Sequence, residues 1–135
     1  TNNIKYIAYC FSPKQGYSKF GSYTGNGSTD GAFIYTGFKP AFVMVKPYSH
    51  ADNWHIIDSK INPFNTMDTH LFPNISDAEN TASSFNFDFL SNGFKPRSGN
   101  SSFNNTYNYI YLAFAEAPLS YAKLHRVEIY LKIEL

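Results

Sequence analysis

Residues 83–94 read "SSFNFDFLSNGF", and this stretch narrows the fold more than any other. Side chains of an extended strand alternate between faces. Phe85, Phe87 and Phe89 therefore share one side, with Asn86 and Asp88 on the other. Asn92-Gly93 then separates two apolar runs, the strongest short signal for a hairpin. A hairpin with one apolar face needs something to bury it, and the chain supplies more segments of the same kind. "KYIAYCF" (5–11), "YSKFGSYT" (17–24), "GAFIYTG" (31–37), "AFVMVKP" (41–47), "NWHIID" (53–58) and "YNYIYLAFAE" (107–116) are short aromatic or β-branched runs bounded by turn residues. Residues 59–83 are polar and broken by prolines, with a short strand expected near Thr69-His70-Leu71-Phe72. The final "RVEIYLKIEL" alternates again, Val127, Ile129, Leu131, Ile133 and Leu135 against Glu128, Tyr130, Lys132 and Glu134. About ten strands, turns roughly every 8–12 residues and no helical period predict one all-β domain, an antiparallel β-sandwich.

Composition agrees. The 135 residues include 13 Phe and 11 Tyr but one Trp, and only 16% are charged. Flat rings suit a pleated, half-buried surface, and so apolar a chain is not a disordered one. The formal net charge is +1 with no basic cluster, which argues against nucleic acid as a partner. The longest apolar run, Ala41–Val45, falls far short of the roughly 20 residues of a membrane helix, so no membrane insertion is expected. No charged-then-apolar leader is read at the start, which leaves the sequons at Asn26, Asn74, Asn100 and Asn104 little weight. The single cysteine, Cys10, allows no internal disulfide. Within "YIAYCF" it is expected to be a small buried side chain rather than a nucleophile.

"GSYTGNGSTDG" (21–31) raises the question of a phosphate-cradling loop. Such a loop needs a helix after it, so that its backbone N–H groups and the helix dipole meet the anion. Here "AFIYTGF" follows, which reads as a strand, and no Gly-Lys-Ser/Thr completes the motif. The glycines are expected to serve tight turns.

Catalytic chemistry finds little footing. His55 and Asp58 stand three apart and would face opposite ways on a strand; Asp68 and His70 share a face but nominate no further zinc ligands. No G-x-S-x-G elbow is present. Asp58, Asp88 and Glu116 supply carboxylates for an imagined glycosidase, yet exposure or ion pairing accounts for Asp88 and Glu116 more simply. No enzyme activity, metal or cofactor is expected. The better feature is "KPYSHADNWH" (46–55), which sets Tyr48, His50, Asn53 and Trp54 beside Asp52. A ring can stack on the C–H face of a sugar while amides and carboxylates read its hydroxyls. The alternative is that Trp54 opens a strand and packs into the sandwich.

The ordered phrases "YSKFGSYTGNGSTDGAFIYTGFKPAFVMVKP", "NWHIIDSK", "FDFLSNGFKPRSG" and "YIYLAFAE" resemble a SPRY-like, concanavalin A-like sandwich domain of tailed-phage tail-fibre and other virion structural proteins. The family's pattern falls on Tyr23–Gly27, Gly37–Pro40, Lys46, Asp58-Ser59, Asn92–Phe94 and Ala113–Glu116, within roughly residues 6–118. The resemblance implies a jelly-roll sandwich and a non-enzymatic virion component acting in assembly and host-surface adhesion. It implies other virion or fibre subunits as partners, commonly in a homotrimer; a host cell-surface glycan is the ligand expected of the 46–55 loop. It carries over no catalytic or binding residues. A lectin-like module and, behind it, a glycan-degrading enzyme are the rival readings. Beyond the resemblance, Val127, Ile129, Leu131 and Ile133 are candidate assembly residues: their strand would pair with another subunit's sheet edge or close the domain's own sheet.

Overall fold

A computed structural model of the chain describes Lys5 and residues 8–117. The alternating stretch that holds Val127, Ile129, Leu131 and Ile133 lies outside the described residues. Nine strands are present among the described residues: β1 Ser18–Thr24, β2 Ile34–Tyr35, β3 Pro40–Pro47, β4 His55–Asp58, β5 Thr69–His70, β6 Asn80–Thr81, β7 Phe87–Leu90, β8 Gly93–Pro96 and β9 Asn108–Ala115. They form antiparallel sheets in the orders β1-β9-β3-β4, β2-β8-β7 and β5-β6. The fold is an all-β antiparallel sandwich. Among the described residues no helix is long and apolar enough to cross a membrane.

Alternation builds the core between the two larger sheets. The first sheet contributes Val43 and Val45 from β3, Ile57 from β4, and Tyr109, Tyr111 and Ala113 from β9. Facing them are Ile34, Phe87, Phe89 and Phe94 of the second sheet. Met67 and Phe103, from the long connections, complete the cluster. The Asn-Gly hairpin forms as the sequence predicts, with Leu90 opposite Gly93 and Phe89 opposite Phe94. β9 lies between β1 and β3, a central strand as expected. Pro40 and Pro47 stand at the ends of β3, where a missing N–H costs the ladder least.

The glycine-rich stretch is a turn. It leads from β1 to β2, with Gly27 at φ +70°. Gly25 lies so close to the backbone of Asn104 and Asn105 that a Cβ there would collide with it. Asn26 and Ser28 tie the turn with side-chain bonds to the Ser28 and Asp30 amides, each 3.0 Å.

Three expectations are corrected. Residues 8–11 form no strand: the stretch crosses the outer side of the first sheet, where Phe11 rests 5.7 Å from Phe20 and 6.4 Å from Phe114, ring to ring. Cys10, expected to be buried, is exposed, because this stretch lies on the sheet instead of within it. Residues 83–90 are not one strand either: Ser83–Phe85 is a 3-10 turn, and β7 begins only at Phe87.

Candidate functional site

The loop between β3 and β4 carries the residues singled out for recognition. It is pinned at its start, where the Tyr48 amide donates to the Asn108 carbonyl (3.0 Å) and the Asn108 amide donates to Ser49 Oγ (2.8 Å). Tyr48 itself is exposed. His50 stacks flat on Tyr107, with ring centroids 4.4 Å apart and planes 7° from parallel.

A polar lattice holds the second half of the loop. Lys46 Nζ donates to the Asp52 carbonyl at 2.7 Å. The Asp52 carboxylate accepts from the Asn53 amide (2.7 Å) and from Ser102 Oγ (2.8 Å), and lies 3.7 Å from His55 Nε2. Asn74 reaches in from the following connection. Its Oδ1 accepts from the Trp54 amide at 2.9 Å, and its Nδ2 donates to Asn53 Oδ1 at 3.0 Å. Both ends of the Asn53–Trp54 peptide are thereby fixed. Preset polar groups lower the ordering cost of binding.

β4 pairs His55 with Val45, and alternation sends Trp54 to the opposite face from His55. Trp54 is half-buried and lies outside the core cluster. Its ring does not pack between the sheets. Instead it lines an apolar groove of about 510 Å³ with Tyr9, Phe11, Met44 and Leu112, with Lys46 Nζ 6.0 Å from the ring centroid.

The structure thus joins Asn53 and Trp54 in one network through Asn74, sets His50 on Tyr107, and leaves Tyr48 projecting by itself. Asn74, Ser102 and Tyr107 were not nominated by the sequence. Asn74 and Ser102 meet the loop from 20 to 50 residues away, and no spacing rule reports such contacts.

Beneath the loop His55 and His70 are buried with ring centroids 5.1 Å apart, inside a collar of Phe72, Phe85 and Phe103. Neither ring's nitrogens find a hydrogen-bond partner among the described residues. Burial pushes both imidazoles down, His70 to about 4; His55 further opposes charge on His70, and Lys46 opposes it on His55. For His55 the Asp52 carboxylate acts against burial. The pair is neutral aromatic filling, and no group of three metal-capable side chains occurs among the described residues.

The carboxylates of the imagined glycosidase are held apart by other partners. Asp88 pairs with Arg97 at 3.4 Å and Glu116 with Lys39 at 2.9 Å, as expected. Asp58 Oδ1 accepts from the Lys60 amide at 2.7 Å, tightening a turn. Asp68 accepts from Asn62 Nδ2 at 2.8 Å.

Compared with known proteins, residues 1–118 match a family described as "Domain of unknown function (DUF7483)". Neither a curated protein nor a solved structure matches the chain.

Proposed function

The chain belongs to the DUF7483 family, and from that footing we propose that it is a non-enzymatic module of a phage virion that attaches to a host-surface glycan. The motif order shared with tail-fibre sandwiches supports the virion part of this reading. The observation that carries the adhesive part is the lattice behind Asn53 and Trp54, which fixes a polar amide next to an indole at the mouth of a groove. An indole covers the apolar face of a sugar ring, and a fixed amide selects among its hydroxyls. Lys46 and Asp52 add a cation and a carboxylate to the same lattice. Within this reading other virion subunits carry the domain on the particle surface.

The test is binding of the full chain to an array of purified bacterial surface polysaccharides. Retention of at least one polysaccharide is expected, with Trp54→Ala and Asn74→Ala each weakening it about tenfold or more while the circular dichroism spectrum is unchanged. A wild-type chain that retains none, or a Trp54→Ala chain that binds like wild type, overturns the assignment of this site. Release of reducing sugar from a retained polysaccharide contradicts the non-enzymatic reading.

A further inference from the structure

A sandwich sheet normally shows water a polar outer face, while strands that read as continuous apolar runs are covered on both sides. β3 and β9 are of the second kind. On the side away from the core, the β1-β9-β3-β4 sheet carries Phe20, Phe42, Met44, Ile56, Leu112 and Phe114, all only half-buried. Residues 8–11 cross this face, with Tyr17 against Phe114 at its edge, and leave Tyr9 80% and Phe11 59% exposed above the groove they share with Trp54. So large an apolar face on one sheet marks a surface that something covers.

The chain itself holds a matching occupant. β9 ends at Ala115, and the Glu116 amide donates to the Lys39 carbonyl at 2.9 Å. The backbone therefore leaves from the middle of this sheet, beside the start of β3. Beyond Ala117 come residues 118–135, whose last ten place Val127, Ile129, Leu131, Ile133 and Leu135 on one side of an extended stretch. Glu128, Lys132 and Glu134 fall on the other. The intervening residues 118–126, at about 3.3 Å each, reach roughly 30 Å, which spans the length of β9.

We propose that the outer face of the β1-β9-β3-β4 sheet is the docking surface for residues 127–135 of the same chain, with Val127, Ile129, Leu131 and Ile133 turned onto the groove and the charged residues left in water. Of the two roles open to that stretch, closing the domain's own sheet layer is the one this face favours. Both occupants use the Trp54 ring, so a glycan that stacks there displaces this segment; the experiment below is made without glycan and reads the segment alone.

Trp54 is the chain's one tryptophan and lines the groove, so its emission reports the occupant directly. In the full-length protein, acrylamide quenching of Trp54 is expected to be weak and trypsin cleavage at Lys132 slow. Ile129→Asp with Leu131→Asp should red-shift the emission, raise quenching at least twofold and speed that cleavage about tenfold. The solution mass should stay at one 15.3 kDa chain throughout. Met44→Asp attacks the same contact from the sheet side and should free Lys132 equally. Glu128→Gln with Glu134→Gln should change nothing. Wild-type Trp54 quenched as freely as in the double variant overturns the proposal. So does a wild-type mass that is a multiple of 15.3 kDa and falls to one chain in the double variant, which would make a second copy the occupant.

Discussion

Asn104 is fully buried, and its side chain ties the β8–β9 connection to the β1–β2 turn. Its Nδ2 donates to Asn26 Oδ1 (2.9 Å), the Ser28 carbonyl (2.7 Å) and the Ser98 carbonyl (3.1 Å), while Oδ1 accepts from the Asn26 amide at 3.2 Å. Truncation strips the carbonyl of buried Ser98 of this partner, at about 1–3 kcal/mol, and unties the β1–β2 turn at Asn26 and Ser28. Asn104→Ala is therefore expected to lower stability by about 2–4 kcal/mol in urea unfolding. The buried histidines make a second prediction at this scale. Their folded pKa values lie below the unfolded value of about 6.5, so the unfolded chain takes up protons first. Stability is then full above that pH and falls as acid is added, until the folded His70 itself titrates near about 4. Between those limits His70 should cost about 1.4 kcal/mol per pH unit, and His55 adds to the loss in the same direction. Replacing His70 with Phe should flatten the profile measured by chemical unfolding from pH 7 to 4.5. An unchanged slope would show that other groups set the acid response.

At the scale of elements, β2 is held by a two-residue ladder, Ile34 opposite Phe94 and Tyr35 opposite Gly93. A Cβ on Gly93 would collide with the Ile34 carbonyl and the Phe33 ring. Gly93→Ala should push β2 off β8 and cost about 1–3 kcal/mol, read as a lower urea midpoint, with faster amide exchange confined to residues 33–37. The strands best marked in the sequence were those whose pattern matched their burial. Phe87 and Phe89 alternate with Asp88, and Asn92-Gly93 turns the chain, so β7 and β8 were legible. Residues 8–11 mislead because apolar content alone does not separate a strand from a segment laid on a sheet, and Phe11 is apolar for packing on top of one. The candidate loop was legible as a loop from its Pro, Ser, Asp and Asn. Its scaffolding by Asn74 and Ser102 was not, since those contacts exist only once distant turns have been brought together. The outer face was written in "AFVMV" and "YIYLAFA" all along: apolar residues on both phases of a strand mean two covered sides.

Across the whole molecule, the defining pairing joins β1 to β9, from Ser18 opposite Phe114 to Thr24 opposite Asn108. Nearly the whole described chain must be enclosed before that ladder forms. Refolding followed by Trp54 fluorescence should accordingly take on the order of milliseconds to seconds. A microsecond phase carrying the full amplitude would contradict it. The same ladder has an architectural meaning. Among the described strands, the first, β1, and the last, β9, are neighbours, about 4.8 Å apart in a sheet. A unit whose way in and way out are neighbours behaves as a cassette: spliced into a surface loop of another protein, it would hardly spread the two ends of that loop. Evolution can shuttle such a cassette between unlike hosts without redesigning either partner's framework.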